Sequence, residues 1–189
     1  MKNRFLTLTA LAALGVLLAP PAHSADDIGI FETVLESSVS FSETNDALNQ
    51  AINGSDLILH AAHDVRLPND LHQARVYVLT SPDFISAAEA ESPRTISAQI
   101  LRVAVFTTGD DQKTYVNMAN PVAHAMVYYA DSANYKALVA AARETAASIR
   151  DLVRAVPGKS LSIQSAPIRS ENHYRKYKGD GPARMMAKF

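Results

Sequence analysis

His60, His124 and Met118 are the side chains of this 189-residue sequence best suited to hold a ligand or metal. Imidazole nitrogens with a thioether sulfur suit copper(I), or the axial positions of a non-covalently bound haem. Their spacing gives that chemistry little support. His60 and His63 share the short stretch Leu59 to His63, where an extended backbone sends alternate side chains to opposite faces, so one ion takes both only if the strand breaks at Ala61-Ala62. Met118 and His124 flank Asn120-Pro121 without a Met-x-x-Met cluster or a second histidine at ligand spacing. The plain alternatives are core filling for Met118, a surface place for His124, and for His60 a structural histidine tying a strand end to a loop. The sequence requires no cofactor; copper or non-covalent haem is the alternative these three residues carry. Asn117, Asn120 and Pro121 are the remaining candidates for contact with a ligand, beside His60.

Catalytic signatures are missing. There is no GxSxG, no HExxH, no Ser-x-x-Lys and no phosphate-cradling glycine loop. Asp110-Asp111 reads as a turn, and Glu89 and Glu91 as solvated carboxylates. The chain has no cysteine, which removes thiolate catalysis, CxxC redox chemistry, zinc–cysteine sites, iron–sulfur clusters and covalent c-type haem. A non-catalytic binding or accessory role is the reading that remains.

Two charge regimes bound the partners. The formal net charge is −1, but residues 25–158 hold 17 acidic against 9 basic side chains, and residues 159–189 hold 2 against 7. An acidic body argues against nucleic acid as a partner. The basic end, with aromatics and cations interleaved from Asn172 to Lys178, suits a protein partner or an anionic surface. At the other end, Lys2 and Arg4 precede an apolar run from Phe5 to Leu18, then Pro20, Pro21 and the small-residue site Ala22-His23-Ser24. That pattern predicts a signal peptide over 1–24 and a periplasmic or secreted protein, with no transmembrane anchor after cleavage. No cysteine follows the site to carry a lipid, and export without disulfides leaves the fold to core packing alone.

The elements that must position the candidates follow from periodicity. Thr33 to Phe41 reads as a strand; Ser42 caps a helix over 43–53; Leu57 to Val65 and Ala74 to Thr80 are strands separated by a break at Leu67 to Asp70. Residues 83–94 read as a loop with one helical turn. Ile100 to Pro121 is the best-patterned stretch, a hairpin with Leu101, Val103 and Val105 on one face and Arg102, Ala104 and Phe106 on the other. Its second strand runs from Thr114 to Met118, and Asn120-Pro121 ends it. Leu138, Ala142, Thr145, Ile149, Leu152 and Val156 recur at 4-3-4-3-4 spacing, predicting a helix from Asn134 to Val156 capped by Asp131 or Ser132. Pro157-Gly158 stops it, and residues 159–189 read as a partly disordered basic tail. The expected fold is α+β: an antiparallel sheet of about five strands with two helices on one face, in the order β-α-β-β-β-β-α, over residues 25–158.

Several short motifs, His60-Ala61-Ala62, Leu67-Pro68 to Leu71, Ser81-Pro82, and Val103 to Pro121 closed by Asn120-Pro121, make this order resemble the DUF302 family over residues 33–156. Leu59 stands where that family usually carries an acidic residue, and Ser81-Pro82 where it carries Gly-Asn-Pro. The resemblance implies the family's fold and a homodimer, and no chemistry. It also implies a pocket where His60 approaches Asn120.

Overall fold

The hairpin forms where its alternation predicts. In the computed structural model, which describes residues 27–68, 72–109 and 112–176, Leu101–Thr108 (β4) pairs antiparallel with Lys113–Ala119 (β5). Leu101, Val103, Val105 and Thr107 are buried while Arg102 and Thr108 are exposed, as period-2 side-chain placement requires. Gly109 leads into the turn with φ 78°, a left-handed conformation that glycine adopts without strain. Asp110 and Asp111 lie outside the described residues, as do residues 1–24.

Four further strands flank this pair: Ile28–Ser37 (β1), Ile58–Asp64 (β2), Ala74–Thr80 (β3) and Gly158–Arg169 (β6). They build one antiparallel sheet in the order β2-β3-β4-β5-β1-β6. The register sorts the side chains into two faces. Ala62, Tyr77, Val103, Met118, Glu32 and Gln164 lie in one row across the sheet, on the side that faces the helices. His63, Val76, Ala104, Asn117, Thr33 and Ile163 form the adjacent row on the opposite side. There Phe31 and Ile163 stay 42% and 55% exposed, and Phe106 stacks on Tyr115 with ring centroids 5.9 Å apart.

Phe41–Asn53 (α1) and Tyr135–Val153 (α4) cover the helical side with Leu48, Ile52, Leu138, Ala142, Ile149 and Leu152 buried. The long stripe of α4 is the one its spacing predicts. Pro82–Ala87 (α2) and a 3-10 helix, Pro93–Gln99, occupy the stretch expected as a loop; Ser81 caps α2 and Pro82 opens it, favourable at a position whose N–H has no intrahelical acceptor.

The sheet departs from expectation most at β6. It has six strands rather than five, because the segment after Pro157 returns along β1. The domain therefore does not end at 158. Gly158 is required where that return begins: a Cβ there would run into the carbonyl oxygen of Glu36. The helix-side positions of β6 are polar, with apolar Leu161 and Ile163 alternating between them. Ser162 and Gln164 hydrogen-bond Glu32, while Ile163 stays 55% exposed on the opposite face, so the pattern is the reverse of an apolar side turned to the core. Beyond it, Glu171–Arg175 (α5) places Tyr174 in the core at 2% exposure, its hydroxyl donating to the Ile28 carbonyl at 2.8 Å. Arg175 sits 4.4 Å over the Tyr135 ring. The basic end is thus folded through 176, and 177–189 lie outside the described residues.

β1 runs from 28 to 37, earlier than expected, and the cap of α1 is Ser40 rather than Ser42. Ser40 and Glu43 form a capping box, each side chain serving the other's backbone N–H (3.3 and 3.0 Å). One buried charge pair ties the layers together. Glu32 is fully buried, and Arg150 of α4 forks onto it at 3.1 and 2.6 Å. Burial pushes the Glu32 carboxyl pKa up, but the Arg150 fork and charge and the hydrogen bonds from Ser162 and Gln164 pull it further the other way, leaving it below its ordinary value.

Candidate functional site

The hairpin's end is the start of a helix. Asn120 N-caps Pro121–Tyr128 (α3), its Oδ1 accepting from the Val122 N–H at 3.1 Å, and Pro121 fills the first helical position. The Asn120 N–H donates to the Ile30 carbonyl at 2.7 Å, fixing the helix start to β1. Asn-Pro before an apolar run is a helix-start signal as well as a strand stop. Asn120 and Pro121 are buried and spent on this junction. Asn117 lies on the opposite sheet face, donating to Thr33 Oγ1 at 3.2 Å. Met118 is fully buried on the helical side of β5, as core filling would have it.

His60 is elsewhere. It sits at a bulge in β2, exposed at the sheet edge, with Nε2 2.8 Å from Thr80 Oγ1. β3 and β4 stand between β2 and β5; at about 4.8 Å per strand spacing, His60 and Asn120 belong to strands roughly 14 Å apart. The two do not share a site. His60, Met118 and His124 likewise fall on an outer edge, in the core and on a helix, and among the described residues no group of three or more His, Asp or Glu side chains is placed to hold a metal ion.

What the fold does gather at the hairpin's end is a pocket around His124, about 400 Å³ in volume. Ile30, Ile100, Ala123, Val127 and Tyr128 wall it, and Tyr174 of α5 forms a further side. Ser97, Arg102, His124 and the two tyrosines carry its polar side-chain atoms, and no Asp or Glu lines it among the described residues. Burial, reinforced by the positive charge of Arg102, pushes the His124 pKa down to about 4, so the imidazole is neutral at pH 7. Its ring packs edge-on to Tyr128 with centroids 6.4 Å apart. Among the described residues no side chain hydrogen-bonds the His124 ring, and no carboxylate pairs with Arg102. The pocket can therefore offer one imidazole N–H, one imidazole lone pair and a free guanidinium beside apolar walls.

A second hollow, about 480 Å³, lies between α1 and the β2–β3 hairpin. Arg75 forks there onto Asp64 at 2.7 and 3.0 Å, and His72, whose Nδ1 is buried without a hydrogen-bond partner, lines the same hollow. The His124 pocket differs in holding a cation with no carboxylate in its lining among the described residues. His124 stands out in the sequence and Tyr174 falls in the aromatic and cationic stretch from Asn172 to Lys178, whereas Arg102 shows only as a cation in an otherwise apolar row with Ala104 and Phe106.

Among solved structures, the chain is similar to the crystal structure of an uncharacterized conserved DUF302 protein from Bacillus stearothermophilus, with a TM-score of 0.53 and 11% identity, over 68% of this chain and 99% of that one. The fold is accordingly an α+β, DUF302-like one. At that identity the likeness speaks for the fold alone. No family model matches the chain, and no curated protein matches it. Among the described residues, no helix is long and apolar enough to cross a membrane.

Proposed function

We propose that this is an exported, non-catalytic binding domain that takes a small ligand in the His124 pocket at the strand ends. The observation that supports it is a cavity of about 400 Å³ with apolar walls and an imidazole left without a protein partner. That volume falls within the roughly 300–1,000 Å³ of small-molecule sites, which combine apolar linings with a few polar groups. His124 is half-buried and Arg102 exposed, so both polar groups are accessible to a ligand that enters between the apolar walls. Export rests on the sequence from Lys2 to Ser24. Thermal unfolding in the presence of small amphiphiles tests the binding: a ligand of the folded state raises the midpoint, and Val127→Trp, which fills the pocket, removes that rise. An equal rise in Val127→Trp would discard the pocket. Fractionating cells that express the full chain, with and without residues 2–24, tests the export.

A second reading concerns assembly. The sheet face opposite the helices carries Phe31, Ile163 and the stacked Phe106–Tyr115 pair in partial or full exposure, and an apolar face of this kind suits a homodimer. Light scattering on Phe106→Glu against the unaltered protein checks it; identical monomeric masses would remove the dimer.

A further inference from the structure

The chemistry of the His124 pocket also selects its ligand. A guanidinium has five donors and no acceptor, and its planar fork matches a carboxylate. Arg102 meets no carboxylate among the described residues, and the pocket has none in its lining. A cationic ligand would be repelled there, and a purely apolar one would leave the fork and the imidazole unused. Arg102 is exposed on β4 while Ala123 is buried on α3, so the charge stands at the rim and the apolar surface within. Resting on the ligand-pocket reading above, we infer that the ligand is an apolar body bearing a single anionic head, with a short-chain carboxylate its simplest form, whose head pairs with Arg102 and accepts a hydrogen bond from His124.

Each half of the inference makes a separate demand. The walls require an apolar body, so inorganic phosphate alone does not suffice. The rim requires an anion, so an alcohol of the same length does not suffice either.

Calorimetric titration of the purified protein at pH 7 with octanoate, octan-1-ol, octylamine and inorganic phosphate separates these demands. Octanoate is expected to bind at least about tenfold more tightly than octan-1-ol, as charge-assisted hydrogen bonds commonly allow. Arg102→Ala should erase that difference, and Arg102→Lys should restore part of it. Because Arg102 is exposed, the melting curve of Arg102→Ala should match that of the unaltered protein, which separates lost binding from lost folding. Octanoate and octan-1-ol binding equally, with Arg102→Ala changing neither, would overturn the anionic head and leave the pocket standing. Phosphate binding as tightly as octanoate would overturn the apolar body. Octanoate binding that persists in Val127→Trp, or no binding by any of the four, would overturn the pocket and the ligand class together.

Discussion

Arg150→Ala should destabilise this protein far more than its position on a helix surface suggests. Alanine is the best helix former, so α4 itself loses nothing by the exchange. The cost lies in what remains: Glu32, whose side chain is 0% exposed, loses both guanidinium bonds and keeps only its contacts with Ser162 and Gln164. Stripping one partner from a buried pair costs roughly 3–5 kcal/mol. The Arg150 side chain is 33% exposed, and solvent screening places the expectation at the lower end, about 3 kcal/mol. For a chain of this size that corresponds to a fall of about 6–12 °C in Tm. The reverse exchange, Glu32→Gln, should cost only about 1 kcal/mol, because a partly exposed guanidinium can turn to water and the amide still accepts from Ser162. The folded-state pKa of Glu32 is lowered, so its contribution is present above the ordinary carboxylate pKa and lost as the pH falls through the folded value. In Arg150→Ala, only the Ser162 and Gln164 hydrogen bonds oppose burial, so that pKa rises, and the variant's deficit is largest at neutral pH and narrows in acid. Urea denaturation of the three proteins at pH 7 and in acid reads all of this. Equal costs for the two exchanges, an Arg150→Ala loss no larger than that of a surface pair, or a loss independent of pH would refute the reasoning.

Tyr77→Phe should cost about 1–2 kcal/mol in the same assay, since it strips the donor 2.7 Å from a buried Asn45 Oδ1; an unchanged urea midpoint would show that the Tyr77–Asn45 bond does not join β3 to α1. The His124 ring should titrate near pH 4 rather than its ordinary 6.5 when followed by NMR. The unfolded chain then takes up a proton that the folded one refuses, so His124 weakens folding progressively as the pH drops from about 6.5 toward 4; a midpoint at 6.5 would place the ring in open water. His60→Ala should shift stability by no more than about 0.5 kcal/mol, as an exposed edge residue bonded to Thr80 does, and a larger loss would give His60 a role the fold does not show.

Where a signal was local, the chain declared it. Ala74–Thr80 and the Leu101–Ala119 hairpin show in their alternation, and α4 shows in the spacing from Leu138 to Leu152, because each of these buries one face against the other layer. Even Ser40 and Glu43 stand at capping-box spacing, and Asn120-Pro121 has the form of a helix start. β6 alternates from Ser160 to Gln164, with Leu161 and Ile163 between polar residues, but in reverse: the side chains it turns toward the helices answer a buried charge, so the pattern does not tell that this segment joins the sheet beside β1.

The sequence by itself determined the absence of cysteine chemistry, the α+β class and the hairpin around which the sheet is built. Only the tertiary structure decided which polar groups meet. The DUF302 resemblance implies that His60 and Asn120 meet, but the strand order inserts β3 and β4 between them. His124, Arg102 and Tyr174 come from α3, β4 and α5 and share one pocket. Periodicity is a property of a few consecutive residues, whereas a site is made by strand order and helix docking, which bring together residues that no local pattern connects.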